Sequence, residues 1–313
     1  MQLMISDYNL YPLHVFRMVA RYGTVTRAAA ELFISQPAVS AHLKAFEAHL
    51  GAPLFERTPR RMVLTEIGRG VLDQVNRIFV LYDELPASVA LWRGRVAGEV
   101  QIAASSTPGT YLLPGLLRRF QRRHPEVVPL LRIGASSEVL EWLLEYDAPF
   151  GIVGEIRLPE MIESTRLGAD QLRLTVRGGD PLAAAPRIDL ESLGSRTLFV
   201  REKGSSTRAV VEGLFGEELK RFARVVEIPS TEAIKQAVVA GLGVAFLSSW
   251  SCRLEERLEI LAPTRDRRWR KTRRFYLVKR RDRELMGAAA ALWAELARPP
   301  AAGKDQQSKR GTA

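Results

Sequence analysis

Four segments of this chain concentrate hydroxyl groups where an extended stretch would turn into a helix: Ser105-Ser106-Thr107, Ser136-Ser137, Ser205-Ser206-Thr207 and Ser230-Thr231. A helix N-terminus offers free N–H groups and the positive end of its dipole, and Ser and Thr side chains add further donors. Each hydroxyl taken alone reads as a plain N-cap. Recurrence at four equivalent turns adds weight to a second reading, a shared cleft that could hold an anion. Arg208 and Lys235 follow two of these turns and could supply counter-charge, or stand on solvated helix faces. A different chemistry is suggested near the N-terminus. There Ser35 and Pro37 suit the start of a helix whose Ser40, Ala41 and Lys44 form a face available to a ligand.

Catalytic and metal chemistry find no support. The chain has no Gly-x-Gly-x-x-Gly, Walker A, His-Glu-x-x-His or Gly-x-Ser-x-Gly motif. His14, His42, His49 and His124 lack metal-ligand spacing, and the single cysteine, Cys252, follows Trp250-Ser251 with no evident base. No enzyme, no catalytic residue, no metal and no cofactor are therefore expected. One cysteine excludes an intramolecular disulfide framework and suits a reduced cytoplasmic home. The first residues show no basic stretch followed by an apolar core, and no run approaches a membrane span.

The elements that must carry these groups begin as helices. Leu13, Phe16, Val19 and Ala20 recur at helical spacing and stop at Gly23. Thr24 and Thr26 can cap a short helix from Arg27 to Phe33, and a third helix runs from Ser35 to Leu50 before Gly51. Its Val39, Leu43, Phe46 and Leu50 line one face. Residues 54–65 then read as two strands around the turn Thr58-Pro59-Arg60-Arg61. Three short helices and a basic hairpin fit a winged helix-turn-helix; spacing alone also allows a small helical bundle with an incidental hairpin.

The stretch Thr26 to Gly68 resembles the N-terminal signature of LysR-type bacterial transcriptional regulators. The Ala-Ala pair, Leu32, Ser35-Gln36-Pro37-Ala38, Ser40, Leu50-Gly51, Leu54-Phe55-x-Arg57, Leu64-Thr65 and Gly68 fall in register. The resemblance extends over about residues 10–297. It implies DNA contacts from Thr26 at the start of the second helix, from Ser35, Gln36, Pro37, Ser40, Ala41 and Lys44 on the reading helix, and from Arg57, Arg60 and Arg61 on the wing. Many family members carry Arg where this chain has Ala41, so one contact of the pattern is missing here. Val225–Ser248 and Arg273–Arg283 look most like a branch that includes regulators of carbon-fixation and sulfur-assimilation genes, a lead toward a phosphorylated or sulfur-containing anion.

From Glu66 a long helix is expected. Val71, Val75, Ile78, Tyr82, Leu85, Val89 and Trp92 alternate at spacings of 4 and 3, an a/d seam that usually meets a partner helix. The resemblance implies that this linker dimerises, and dimers of dimers are common in the family. Pro86 falls inside the seam, where proline costs roughly 3 kcal/mol and kinks or ends a helix.

Beyond Gly94–Gly98, strand, turn and helix patterns alternate through two sets, the second starting near Leu172–Val176, which implies two doubly wound α/β lobes. The resemblance makes these a bilobed, periplasmic-binding-protein-like effector domain, with ligand donors at matching turns and Ser106, Thr107, Ser136, Thr207 and Thr231 as first choices. The chain thus divides into a winged helix-turn-helix (1–65), a linker helix (66–94), the effector domain (95–298) and a small, polar tail expected to be disordered (299–313).

The net charge of +11 suggests a polyanionic partner, but its distribution does not locate one. Residues 1–94 hold 10 Lys/Arg against 8 Asp/Glu, whereas Arg265–Arg283 holds 11 against 2. That run reads as a solvated strand-turn-strand edge whose charges discourage edge pairing. The partners expected are double-stranded promoter DNA, a small anionic effector, a second copy of the chain up to a tetramer, and RNA polymerase, with no membrane. A solute-binding or transport protein on the same bilobed fold is the competing function.

Overall fold

In a computed structural model, the structure describes residues 9–58 and 61–298. The chain separates into two compact units between Leu85 and Pro86.

The first unit opens with α1 (Tyr11–Tyr22), α2 (Val25–Leu32) and α3 (Gln36–Leu50). Gly23 and Gly51 end α1 and α3 in the left-handed conformation that glycine adopts without a Cβ penalty. Thr24, not Thr26, caps α2 by accepting from Arg27 N at 3.3 Å, and Ser35 caps α3 from Ala38 N at 3.3 Å. Val15, Phe16, Val19, Ala28, Val39, Leu43 and Phe46 bury one core among the three helices. The wing follows as β1 (Phe55–Arg57) and β2 (Met62–Leu64), antiparallel with Phe55 opposite Leu64. Glu47 of α3 accepts from Leu54 N at 2.8 Å and Phe55 N at 3.3 Å, which fastens the hairpin to α3.

The helix α4 (Glu66–Trp92) begins on Thr65, whose hydroxyl accepts from Gly68 N at 2.9 Å. It continues through Pro86 without an end there.

The second unit contains one nine-stranded sheet in the order β4-β3-β5-β11-β6-β9-β7-β8, with β10 added to β6. Its first lobe runs β3 (Gly98–Ser105), a π-helical turn (Pro108–Leu112), α5 (Leu113–Arg123), β4 (Val127–Gly134), α6 (Ser136–Leu144) and β5 (Gly151–Gly154). β4 and β5 lie parallel to β3 on either side, and β5 is buried on both faces, as parallel strands between helix layers are. The long strand β6 (Ile162–Arg177) crosses into the second lobe. There follow α7 (Pro181–Ala184), α8 (Leu190–Gly194), β7 (Thr197–Val200), α9 (Ser206–Phe215), β8 (Arg224–Glu227), α10 (Thr231–Val239), β9 (Val244–Ser248), α11 (Arg253–Arg257) and β10 (Leu261–Pro263). β11 (Arg270–Arg280) returns antiparallel to β6, and α12 (Gly287–Ala297) packs on the first lobe's core through Ala288, Leu292 and Leu296.

Two expectations change here. The basic run is not a solvated edge: β11 lies between β5 and β6, with Arg273 and Arg280 buried. The second set of elements begins at Ile162, ten residues before the apolar alternation of Leu172–Val176, because the first half of β6 is largely exposed.

Candidate functional site

The residues expected to meet DNA lie at the surface of α2 and α3. Thr26, Ser35, Gln36, Pro37, Ala41 and Lys44 are exposed and Ser40 half-buried. Thr26 donates its hydroxyl to Gln36 Oε1 at 3.1 Å, so α2 steadies the carboxamide at the first turn of α3. Ser35 has a second duty, since its hydroxyl is the α3 cap. Arg61 is exposed beside Thr58, whose hydroxyl donates to Arg61 O at 2.8 Å and closes the wing turn. Arg60 and the side chain of Arg57 lie outside the described residues. His42 sets its ring edge-on against Tyr11, 5.0 Å between centroids.

Along α4 the apolar seam divides. Ile78, Tyr82, Leu85 and Val89 are exposed, but Val75 is only 2% exposed and packs with Val71 into the first unit's own core. Val75 therefore serves the fold of its own chain, which corrects its assignment to a dimer seam.

In the second unit the hydroxyl-rich turns of both lobes converge. Ser105, Ser106, Thr107 and Ser136 from the first lobe and Ser205, Ser206 and Thr207 from the second close around one small cavity with Arg201 and Arg273, with free room of about 10 Å³, the space of a single water. Close approach is built into the backbone. A side chain at Gly154 would strike Ser206, and Gly204, at φ +85°, lies against Ser137. Thr107, Thr207, Thr231 and Arg201 also line an adjoining space, again with free room of about 10 Å³, together with Phe199, Val211, Ile234 and Phe246.

An N-cap role for these hydroxyls differs from turn to turn. It holds for Ser230, which is exposed and accepts from Ala233 N at 3.2 Å. It fails at the other three. Thr107 precedes a π-helical turn and Ser205 precedes α9 without either making a side-chain cap, and α6 is closed by Glu138 accepting from Ala135 N at 2.6 Å. Ser137 lies toward the mouth of the cleft, its N–H on Gly204 O at 3.2 Å.

The freed hydroxyls turn their lone pairs to two arginines that pattern reading missed. Arg273 Nη1 donates to Ser206 Oγ at 3.0 Å and Thr207 Oγ1 at 2.7 Å, and its Nη2 to Thr107 Oγ1 at 3.0 Å. Its Nε and Nη2 both reach Asp170 Oδ2, at 3.0 and 2.9 Å, so all five guanidinium hydrogens are used. Burial pushes the Arg273 guanidinium below its ordinary pKa, and the Asp170 carboxylate opposes that shift. Arg201 Nη2 donates to Ser106 Oγ at 2.9 Å and Nη1 to Thr231 Oγ1 at 2.6 Å. A hydroxyl has one proton; once its oxygen accepts from an arginine, that proton is available to a third group. Ser136 Oγ, fully buried in the same cavity, has no hydrogen-bond partner.

Arg208 and Lys235 do not supply the counter-charge. Arg208 pairs with Glu212 at 2.7 Å and Glu227 at 3.5 Å. Lys235 is buried between Glu232 and Glu255, at 2.9 and 2.5 Å. Burial lowers the Lys235 pKa, but those two hydrogen bonds outweigh it and hold the ammonium above its usual range. Cys252 is buried, and burial lifts its thiol to about 11. Among the described residues, no group of His, Cys, Asp and Glu is placed to hold a metal, and no helix is long and apolar enough to cross a membrane.

Comparison with known proteins accounts for both units. Residues 10–69 match the bacterial regulatory helix-turn-helix protein model of the LysR family, and residues 93–299 match the LysR substrate binding domain. The HTH-type transcriptional activator CmpR of Synechocystis is 35% identical over 251 residues, covering 80% of this chain and 82% of CmpR. The RuBisCO operon transcriptional regulator of Allochromatium vinosum is 32% identical over 283 residues, covering 90% and 93%. The structure of full-length CbnR complexed with its target DNA superposes with a TM-score of 0.59 at 26% identity, covering 92% of this chain and 98% of that one. The helix-turn-helix match sets aside the solute-transport reading. With its reading head followed by a bilobed substrate-binding domain, the chain belongs to the LysR family of DNA-binding transcriptional regulators.

Proposed function

We propose that this regulator responds to a small organic anion held between the two lobes of its second unit, and that the oxygens of Thr107, Ser136, Ser206, Thr207 and Thr231 make the first contacts. The observation that carries the reading is the orientation of the hydroxyls. Thr107, Ser206, Thr207 and Thr231 each accept from an arginine and keep a proton to give, and Ser136 Oγ is buried without a partner. Leaving a buried hydroxyl unpaired costs about 1–3 kcal/mol, which a ligand oxygen would recover.

DNA is read by Gln36, Pro37 and Ser40, with Lys44 and Arg61 on phosphates. The exposed seam of α4 joins two copies, so the reading heads address a dyad-symmetric site. The effector alters transcription to the extent that it prefers one arrangement of lobes or subunits. Footprinting the DNA upstream of the chain's own gene, with and without a panel of phosphorylated, sulfated and carboxylate metabolites, tests this reading. At least one anion is expected to change footprint length or DNA bending. An unchanged footprint across the panel would count against it.

A further inference from the structure

Arg201 is the cleft's second guanidinium, and a carboxylate from its own chain already occupies it. Arg201 Nε donates to Glu202 Oε2 at 2.7 Å and Nη2 to Glu202 Oε1 at 2.6 Å, the two-point fork in which an arginine holds a carboxylate or phosphate. The partners are neighbours in sequence. Successive side chains of an extended strand point to opposite faces, so this pairing requires the chain to leave its strand. β7 ends at Val200, and Gly204 at φ +85° turns the segment back toward α9.

The two carboxylates paired with the cleft arginines differ in commitment. Asp170 is sealed, its Oδ2 taken twice by Arg273 and its Oδ1 by Ser248 at 2.9 Å and Ser249 at 3.3 Å. Glu202 is one-fifth exposed, and its carboxylate's hydrogen bonds among the described residues go to Arg201. It lines the open mouth of the cleft with Ser137, Glu138 and Lys203, and Arg201 stands where that mouth meets the closed hydroxyl ring. Glu138 is bound to Ala135 N at the start of α6.

We propose that Glu202 is a tethered stand-in for the effector anion. Its carboxylate fills the Arg201 fork in the free protein and is displaced by the incoming ligand. This rests on the cleft being the effector site. The exchange preserves the two-point pairing at Arg201 while its contacts to Ser106 of one lobe and Thr231 of the other persist. A tethered group competes at an effective concentration in the millimolar range. Anions that cannot match two oxygens to the fork, such as chloride, are thereby excluded. Sulfate, phosphate and phosphorylated carboxylates can match it.

Calorimetry of the full-length protein tests the assignment, with sulfate, inorganic phosphate and a phosphorylated two- or three-carbon acid titrated at constant ionic strength. Glu202→Gln keeps the shape but gives up the charge that competes. It is expected to bind the preferred anion at least tenfold more tightly than wild type, and Glu202→Ala to behave alike should the amide perturb folding. Chloride should begin to compete in both variants. Equal or weaker anion binding by both variants, with wild type still binding, would overturn the stand-in role and leave the cleft as the effector site. Binding to none of the three proteins would remove both together.

Discussion

Arg273 of β11 and Asp170 of β6 are register partners across the two strands that join the lobes, and their side chains, 2% and 0% exposed, form an ion pair at 2.9 Å. The pair fixes the guanidinium so that its other hydrogens reach Thr107 of one lobe and Ser206 and Thr207 of the other. Removing one partner from a buried pair leaves an uncompensated charge and costs about 3–5 kcal/mol. Asp170→Asn should therefore lower stability in urea unfolding by that order. Replacing both residues with apolar ones of similar volume should cost less than either single change. Additive losses would show that the two residues act separately.

The eleven positive charges between Arg265 and Arg283 hide Arg273 in the sequence. A run of that composition reads as solvated because its neighbours Arg274 and Lys271 are indeed exposed. What buries Arg273 is an acid 103 residues away, and only the pairing of β6 with β11 brings that acid near. The hydroxyl turns were legible because a Ser or Thr at a strand-to-helix turn is a local signal. Whether each hydroxyl caps its own helix, as Ser230 does, or faces the cleft, as Thr107 does, depends on the opposite lobe. The helix-turn-helix was legible almost residue by residue, since Gly23, Ser35-Gln36-Pro37 and Gly51 are local punctuation. β8 and β10 left no signal, since β8 is exposed at three of its four positions and β10 is a three-residue strand ending on a proline.

Gln36 should read sequence rather than supply bulk affinity. Its replacement by Ala should weaken specific binding by about 1–3 kcal/mol and leave binding to random duplex nearly intact. Thr26→Val, which removes the hydroxyl donor to Gln36 Oε1, should give a smaller loss in the same direction. Band shifts on an operator and on random DNA separate this from a loss shared equally by both.

Ile78 and Val75 lie one turn apart on α4 but should respond differently to an acid. Ile78→Asp places charge on the exposed seam and should lower the oligomeric state seen by sedimentation while the protein stays folded. Val75→Asp places it in the first unit's core and should unfold that unit. A sedimentation profile unchanged by Ile78→Asp would contradict pairing through this seam.

Asp282 supplies a pH dependence of known sign. Arg280 Nε and Nη2 each donate to it at 2.9 Å and Tyr146 donates its hydroxyl at 2.9 Å. The Arg280 hydrogen bonds are the main cause that holds its carboxyl down at about 2 against an ordinary value of 3.8, with burial opposing. A carboxyl depressed in the folded state contributes stability that is full above its unfolded value and lost as pH falls toward the folded one. Wild type should therefore exceed Asp282→Asn in thermal stability at pH 5, with the gap narrowing below pH 4 and closing near pH 2. A constant gap across that window would exclude the carboxylate as its source.

Thr107→Val, measured for its effect on anion binding, tests the effector cleft most directly. The substitution exchanges a hydroxyl for a methyl at nearly constant volume and removes both the donor to the ligand and the acceptor for Arg273 Nη2. Calorimetric titration of full-length protein with the anion panel should show saturable binding by wild type and a loss of at least tenfold in Thr107→Val, with operator binding retained in the absence of ligand. Anion binding by Thr107→Val at wild-type affinity, or none by wild type across the panel, would contradict an effector site built from the hydroxyls of the cleft.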